Sequence, residues 1–257
     1  MLVIREAQLK AFEDRALDDY IKELAQHCRE FAPALCKTLS DKQLHRALHQ
    51  GIDRAESHGF TLRGPTRFYI EMMFLFGIGF DTDPQYPWAA ELLAANNRMG
   101  EMDRAEALYA RTMDYLGKVD GENHVHTIKA LTNLGVFWRR GLKLRSNYFD
   151  DDMQRFLADM HPRKVAEIGE RPLRRLIHDG RVKGEERYGF RKTPSLALMV
   201  VMMFTIGHQF DSDPLHPWIA ETLKQTDPDR PDNVAEKLES RALMWLDAVL
   251  RNAKGGG

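Results

Sequence analysis

The 257 residues carry 37 Lys+Arg against 38 Asp+Glu and a formal net charge of -1. No global field draws in nucleic acid, an anionic membrane or an acidic ligand, so a charged partner has to be met by a local patch. Two cysteines, Cys28 and Cys36, form no disulfide framework and fit a reducing compartment, where small buried apolar roles are expected of them.

The chain is long enough for one large domain or two ordinary ones. Its opening, MLVIREAQLKAF, is too short in its apolar part for a signal peptide or anchor, so a cytoplasmic protein without membrane insertion is expected. In the first predicted helix Leu9, Phe12, Ala16, Tyr20, Ile21, Leu24, Cys28 and Phe31 recur at three- and four-residue steps, one stripe facing a core, and it ends before Pro33. The next starts at Ser40, where S-D-K-Q has the form of a capping box, and stops at Gly59. After Pro65, TRFYIEMMFLFGIGF is apolar almost all round, as expected of a central buried helix. Pro87 suits a first helical turn, so PWAAELL opens a fourth helix with Trp88 packed near its start. A fifth, Met102 to Leu116, completes the unit, and Glu122 to Arg140 reads as a connecting helix before a basic break at Gly141 to Arg145.

Beyond the break the first half returns. HGFTLRGPTRFYIEMMFLFGIGFDTDPQYPWAAELL from His58 lies over YGFRKTPSLALMVVMMFTIGHQFDSDPLHPWIAETL from Tyr188 without a gap. Fifteen of the 36 positions match, where about two are expected by chance, so a duplicated unit is the reading taken. Upstream the offset changes by one, LHRALHQG from Leu44 meeting LRRLIHDG from Leu173. The expectation is therefore an all-α chain of two diverged copies of a roughly five-helix unit: residues 1–118, a connecting helix and linker at 119–145, and residues 146–257. Strong apolar character again marks the helix after Pro194, with Trp218 near the start of the helix that follows Pro217.

The repeated F-D-x-D-P-x-x-P-W element, Phe80, Asp81, Asp83, Pro84, Pro87 and Trp88 with Phe210, Asp211, Asp213, Pro214, Pro217 and Trp218, is where chemistry could hide, since paired carboxylates can bind a cation or act as acid and base. Aspartates before proline more simply make turns, accepting hydrogen bonds from backbone N–H groups, and a structural corner is expected. His45 and His49 stand four apart on a helix, but no further ligands accompany them, and neither a nucleophile motif nor a phosphate-binding glycine loop is present. No catalytic residue, cofactor or metal is expected. The methionines at 72, 73, 199, 202 and 203 fall within the apolar helices and read as core. Arg171, Arg174, Arg175, Arg181, Lys183 and Arg187 make the start of the second copy locally basic and are the candidate partner-binding residues, diluted by interspersed acids.

GIDRAESHGF at 51, FGIGFDTDPQYPWA at 76 and DRAEALYARTMDYL at 103 resemble a group of bacterial helical proteins encoded beside type VI secretion and polymorphic-toxin genes, whose members usually carry one such unit. That resemblance implies a small cytoplasmic accessory, an adaptor or chaperone for a secreted effector, or an immunity protein that neutralises a toxin. AEALYARTMDYLGKVDGENHVHTIKALTNLGVFWRRG is similar, locally, to tetratricopeptide repeats. Both imply a protein-binding helical scaffold, and the first implies a secreted toxin or secretion component as its partner; a non-catalytic role is expected, with the partner met at the seam of the copies or on the basic face. An exposed apolar groove or patch fits that expectation; a polar cluster in a cleft between the copies would instead indicate an enzyme.

Overall fold

The computed structural model describes residues 6–95, 97–225 and 229–255, and every regular element in it is helical. The elements are α1 (Glu6–Phe31), α2 (Pro33–Cys36), α3 (Asp41–Ser57), α4 (Arg63–Phe76), α5 (Pro87–Leu93), α6 (Glu101–Val119), α7 (Val125–Arg140), α8 (Phe149–Met160), α9 (Pro162–Ile168), α10 (Glu170–Val182), α11 (Thr193–Ile206), α12 (Pro217–Leu223) and α13 (Asp232–Gly255). Among the described residues no helix is long and apolar enough to cross a membrane.

Local chemistry sets several of these boundaries. Ser40 caps α3 through a reciprocal pair: its hydroxyl accepts from Gln43 N at 3.3 Å and Gln43 Oε1 accepts from Ser40 N at 2.9 Å. Prolines open α2, α5, α9 and α12 at their first turns, where the missing N–H has no intrahelical acceptor to lose. A π-helical turn at 183–187 extends α10. It absorbs one residue more than α3 contains, the place where the sequence offset changes by one.

Two cores form. The first collects buried apolar side chains from Tyr20 to Val119 around α4. The second, from Leu134 to Leu246, surrounds α11, which is buried from Ser195 through Phe204. α7 packs on α13 and α8 and contributes Leu134 and Trp138 to the second core. Helices α4 and α11 have the same length, 14 residues, and start 130 residues apart, Arg63 to Thr193; α5 and α12 share seven residues and the same separation.

Two expectations from periodicity are corrected. Among the described side chains of α1 burial begins at Tyr20: Phe12 is 66% exposed, Ala16 is exposed and Phe31 is 40% exposed, because the first core takes its described α1 side chains from the stretch between Tyr20 and Cys28; the Leu9 side chain lies outside the described residues. In α4, Leu75 is exposed and Phe68 and Phe74 are half-buried, because the flank carrying Phe74 and Leu75 opens onto a groove. Cys28 and Cys36 are buried thiols, with Cys36 Sγ 3.3 Å from the Cys28 carbonyl, and burial pushes the Cys28 thiol up to about 12.

Candidate functional site

The two proline-tryptophan corners meet where the cores abut. α4 ends at Gly77 and α11 at Gly207, both with positive φ, +91° and +124°. A Cβ on Gly207 would stand 2.9 Å from the Phe76 carbonyl, and one on Gly77 would run into the Ile206 carbonyl. Only glycine lets the two helix ends approach this closely.

In each corner the first aspartate faces its own core and the second faces the other. Asp81 is paired with Arg54, and its carboxylate accepts from His58 Nε2 at 2.7 Å and Tyr69 OH at 2.9 Å. Asp211 meets Lys183 at 2.8 Å, Tyr188 OH at 2.8 Å and Arg187 at 2.9 Å. Burial pushes both carboxyls up, but hydrogen bonds and charge from these neighbours outweigh it and hold both below the ordinary carboxylate range. Lys183 opens the π-turn and supplies to Asp211 the cation that Arg54 supplies to Asp81.

Asp83 and Asp213 exchange hydrogen bonds across the seam. Asp83 Oδ2 accepts from His208 N at 2.8 Å while Asp213 Oδ2 accepts from Ile78 N at 3.2 Å. Their second oxygens stay local, accepting from Gln85 N at 2.9 Å and Leu215 N at 2.8 Å. The four aspartates thus make structural contacts, two within the cores and two between them, and among the described residues no group of three or more His, Cys, Asp or Glu side chains could hold a metal ion.

Either side of this junction is built differently. On one side α9 packs against α6, and Lys164 is buried, its Nζ donating to the Phe204 carbonyl at 2.5 Å and lying 4.5 Å from the Phe204 ring centroid and 5.9 Å from that of Tyr86. Gln85 Nε2 donates to the Met203 carbonyl at 3.0 Å beside it. Burial drives the Lys164 ammonium down to about 8, opposed by the charge of Asp83, and drives the nearby His161 down to about 4. On the other side, α2 and α13 stand apart. A groove of about 670 Å³ lies between them, its floor formed by the ends of α4 and α11 and its wall by Trp218, Met244 and Trp245. Its volume is that of a small-ligand or side-chain pocket. His216 sits in it edge-on to Trp245 at 6.0 Å, its pKa lowered by burial against the charge of Asp213. Arg241 lies 5.7 Å over the Trp218 ring and donates to Thr222 Oγ1 at 2.7 Å.

The six basic residues singled out in the sequence lie elsewhere. Arg174 is 3.1 Å from Glu170, Arg175 3.5 Å from Asp179 and Arg181 3.6 Å from Glu185. Lys183 and Arg187 are committed to Asp211, and Arg171 is exposed. None lines the groove. A polar recess of about 500 Å³ joins Arg174, Arg181 and Arg191 to Asp150, Asp151 and Glu185, so charges of both signs are mixed there. Met244, Trp245 and Ala248, which build the groove wall, read in the sequence as an ordinary helical run with no signal of their own.

Compared with protein-family models, with curated proteins and with solved structures, the chain matches none.

Proposed function

We propose that the chain is a tandem duplication acting as a non-catalytic protein-binding accessory, and that an apolar segment of a partner protein seats in the seam groove. Corresponding helix lengths at a fixed 130-residue separation support the duplication. The observation that carries the function is the asymmetry of the junction: one side is filled by α9 and Lys164, while the other leaves two tryptophans and Met244 lining an open groove. Aromatic and methionine side chains around a concave site are the residues that anchor partner segments. The groove wall is apolar, as a docking surface requires, and the buried carboxylates nearby are engaged in structural hydrogen bonds rather than free for acid–base chemistry.

The resemblance to proteins encoded with secretion and toxin genes favours an adaptor or chaperone that holds a secreted effector, acting in the cytoplasm; an immunity protein is the alternative. Substituting Ala248→Arg, at a half-buried position of α13 that lines the groove, fills the groove without breaking the helix. Full-length protein should capture a stoichiometric partner from a lysate of the source cells, and A248R should lose it at unchanged melting temperature. Capture that survives the substitution sinks the groove reading. If the captured partner is a toxin, retained activity in the complex marks an adaptor and blocked activity an immunity protein.

A further inference from the structure

The filled side of the junction indicates what the open side lacks. At the end of α11 two side chains close the terminal carbonyls, Gln85 on Met203 and Lys164 on Phe204. The corresponding carbonyls of α4 belong to Met73 and Phe74, both at the groove. The positions that should close them hold Leu215 and Leu35, which cannot donate. Met73 O accepts the Gly77 N–H at 2.9 Å, but among the described residues no side chain donates to either carbonyl, so the negative end of the α4 dipole faces the groove.

Charge follows the same pattern. Asp83 feels the charge of Lys164 and has His208 Nδ1 at 3.4 Å, whereas Asp213, also lining the groove, feels His216 and the more distant Arg54; among the described residues neither carboxylate has a lysine or arginine within ion-pair distance. His216 takes the place of Tyr86 and presents a ring face and a ring nitrogen rather than a full charge. Arg241, the one Lys or Arg among the described lining residues, is held against Trp218 and Thr222 on the opposite wall.

We propose that the partner segment carries a lysine whose ammonium meets the carbonyl end of α4 beside Asp213, with its methylene stem along Trp245, away from the Trp218 face that Arg241 covers. This rests on the protein-binding reading above and specifies its chemistry. An ammonium beside aromatic rings and on a helix C-terminus is what Lys164 already provides on the other side.

A series of probes with one chain length and three head groups tests it. Octylammonium, octanol and octanoate are titrated, below their micellar concentrations, into the full-length protein while tryptophan fluorescence is followed, with Trp245→Phe identifying the reporter. Octylammonium should saturate and bind about tenfold or more tightly than octanol, since a charge-assisted hydrogen bond contributes that much over a neutral one. Leu35→Lys, which supplies the ammonium internally, should abolish binding, and Leu35→Met, of similar volume, should not. Equal affinities for octylammonium and octanol, or tightest binding of octanoate through Arg241, overturn the lysine assignment. The two readings fail separately: loss of the ammonium preference while A248R still releases the captured partner removes only the lysine, whereas capture unaffected by A248R removes the docking site and the lysine with it.

Discussion

A single buried ammonium records how the junction is balanced. Lys164 is a base pushed from the ordinary 10.5 down to about 8 by burial, against the pull of Asp83. The folded-state value is the lower one, so between about pH 8 and 10.5 the unfolded chain binds more protons and stability rises with pH; below about 8 the burial of charge is a standing cost of ~3 kcal/mol. Lys164→Met removes that cost together with the hydrogen bond to Phe204, and a buried ion replaced by an apolar side chain is often neutral or stabilising. Differential scanning calorimetry from about pH 8 to pH 10 should show wild type gaining on K164M as pH rises, because only wild type sheds the proton. A constant gap between the two would mean that the ammonium is hydrated in solution. Asp81 and Asp211 work in the opposite range. Their carboxyls are held below the ordinary value by the cations and phenols around them, so their contribution is present above the unfolded carboxylate pKa and lost as pH falls through the folded one.

At the scale of elements, the two glycine-terminated helix ends are the least tolerant points of the chain. Gly77→Ala combines a positive φ with a Cβ driven into the Ile206 carbonyl, and should cost about 3 kcal/mol or more in urea unfolding. Gly117→Ala, in an exposed stretch of α6 with nothing within 4 Å of its Cβ, should instead stabilise by about 0.5–1 kcal/mol. Equal effects at the two glycines would mean that the close approach of α4 and α11 does not persist in solution. Much of this level was legible in the sequence, because capping is local chemistry: Ser40 and Gln43, the prolines at first turns and the glycine stops mark their boundaries from a few neighbours. Periodicity was less reliable. It placed Phe12 and Tyr20 on one stripe of α1, but whether another element covers that stripe depends on packing partners far along the chain, and Phe12 is left in solvent. The aspartate corners were legible as turns; which core each carboxylate faces was not, since Asp83 and Asp213 take hydrogen bonds from residues more than 120 positions away. The groove was hidden for the same reason, being made by Leu35 and Leu215 at positions where the other half has Lys164 and Gln85.

For the whole molecule, the arrangement is two cores joined through a narrow junction of polar exchange and close backbone contact. Gln85 and Asp83 of the first half act on the second, and Asp213 acts on the first, so neither junction face is satisfied alone; a buried N–H left without its carboxylate costs about 1–3 kcal/mol. What one half needs, however, is only a copy of the other half, and nothing in the hydrogen bonds specifies that both come from one chain. α7 and the short linker after it keep the native pair together by effective concentration. When chains refold at high protein concentration, the first half of one can therefore close on the second half of another, giving exchanged dimers with the same junction and the same helices. Refolding from urea at rising protein concentration, followed by size-exclusion chromatography, should yield a growing dimer fraction that dilution alone does not dissolve; a purely monomeric product at every concentration would mean that α7 docks on α13 before the junction forms. Like-for-like exchange makes the molecule its own nearest competitor, and the connecting helix is what decides the contest in favour of the single chain.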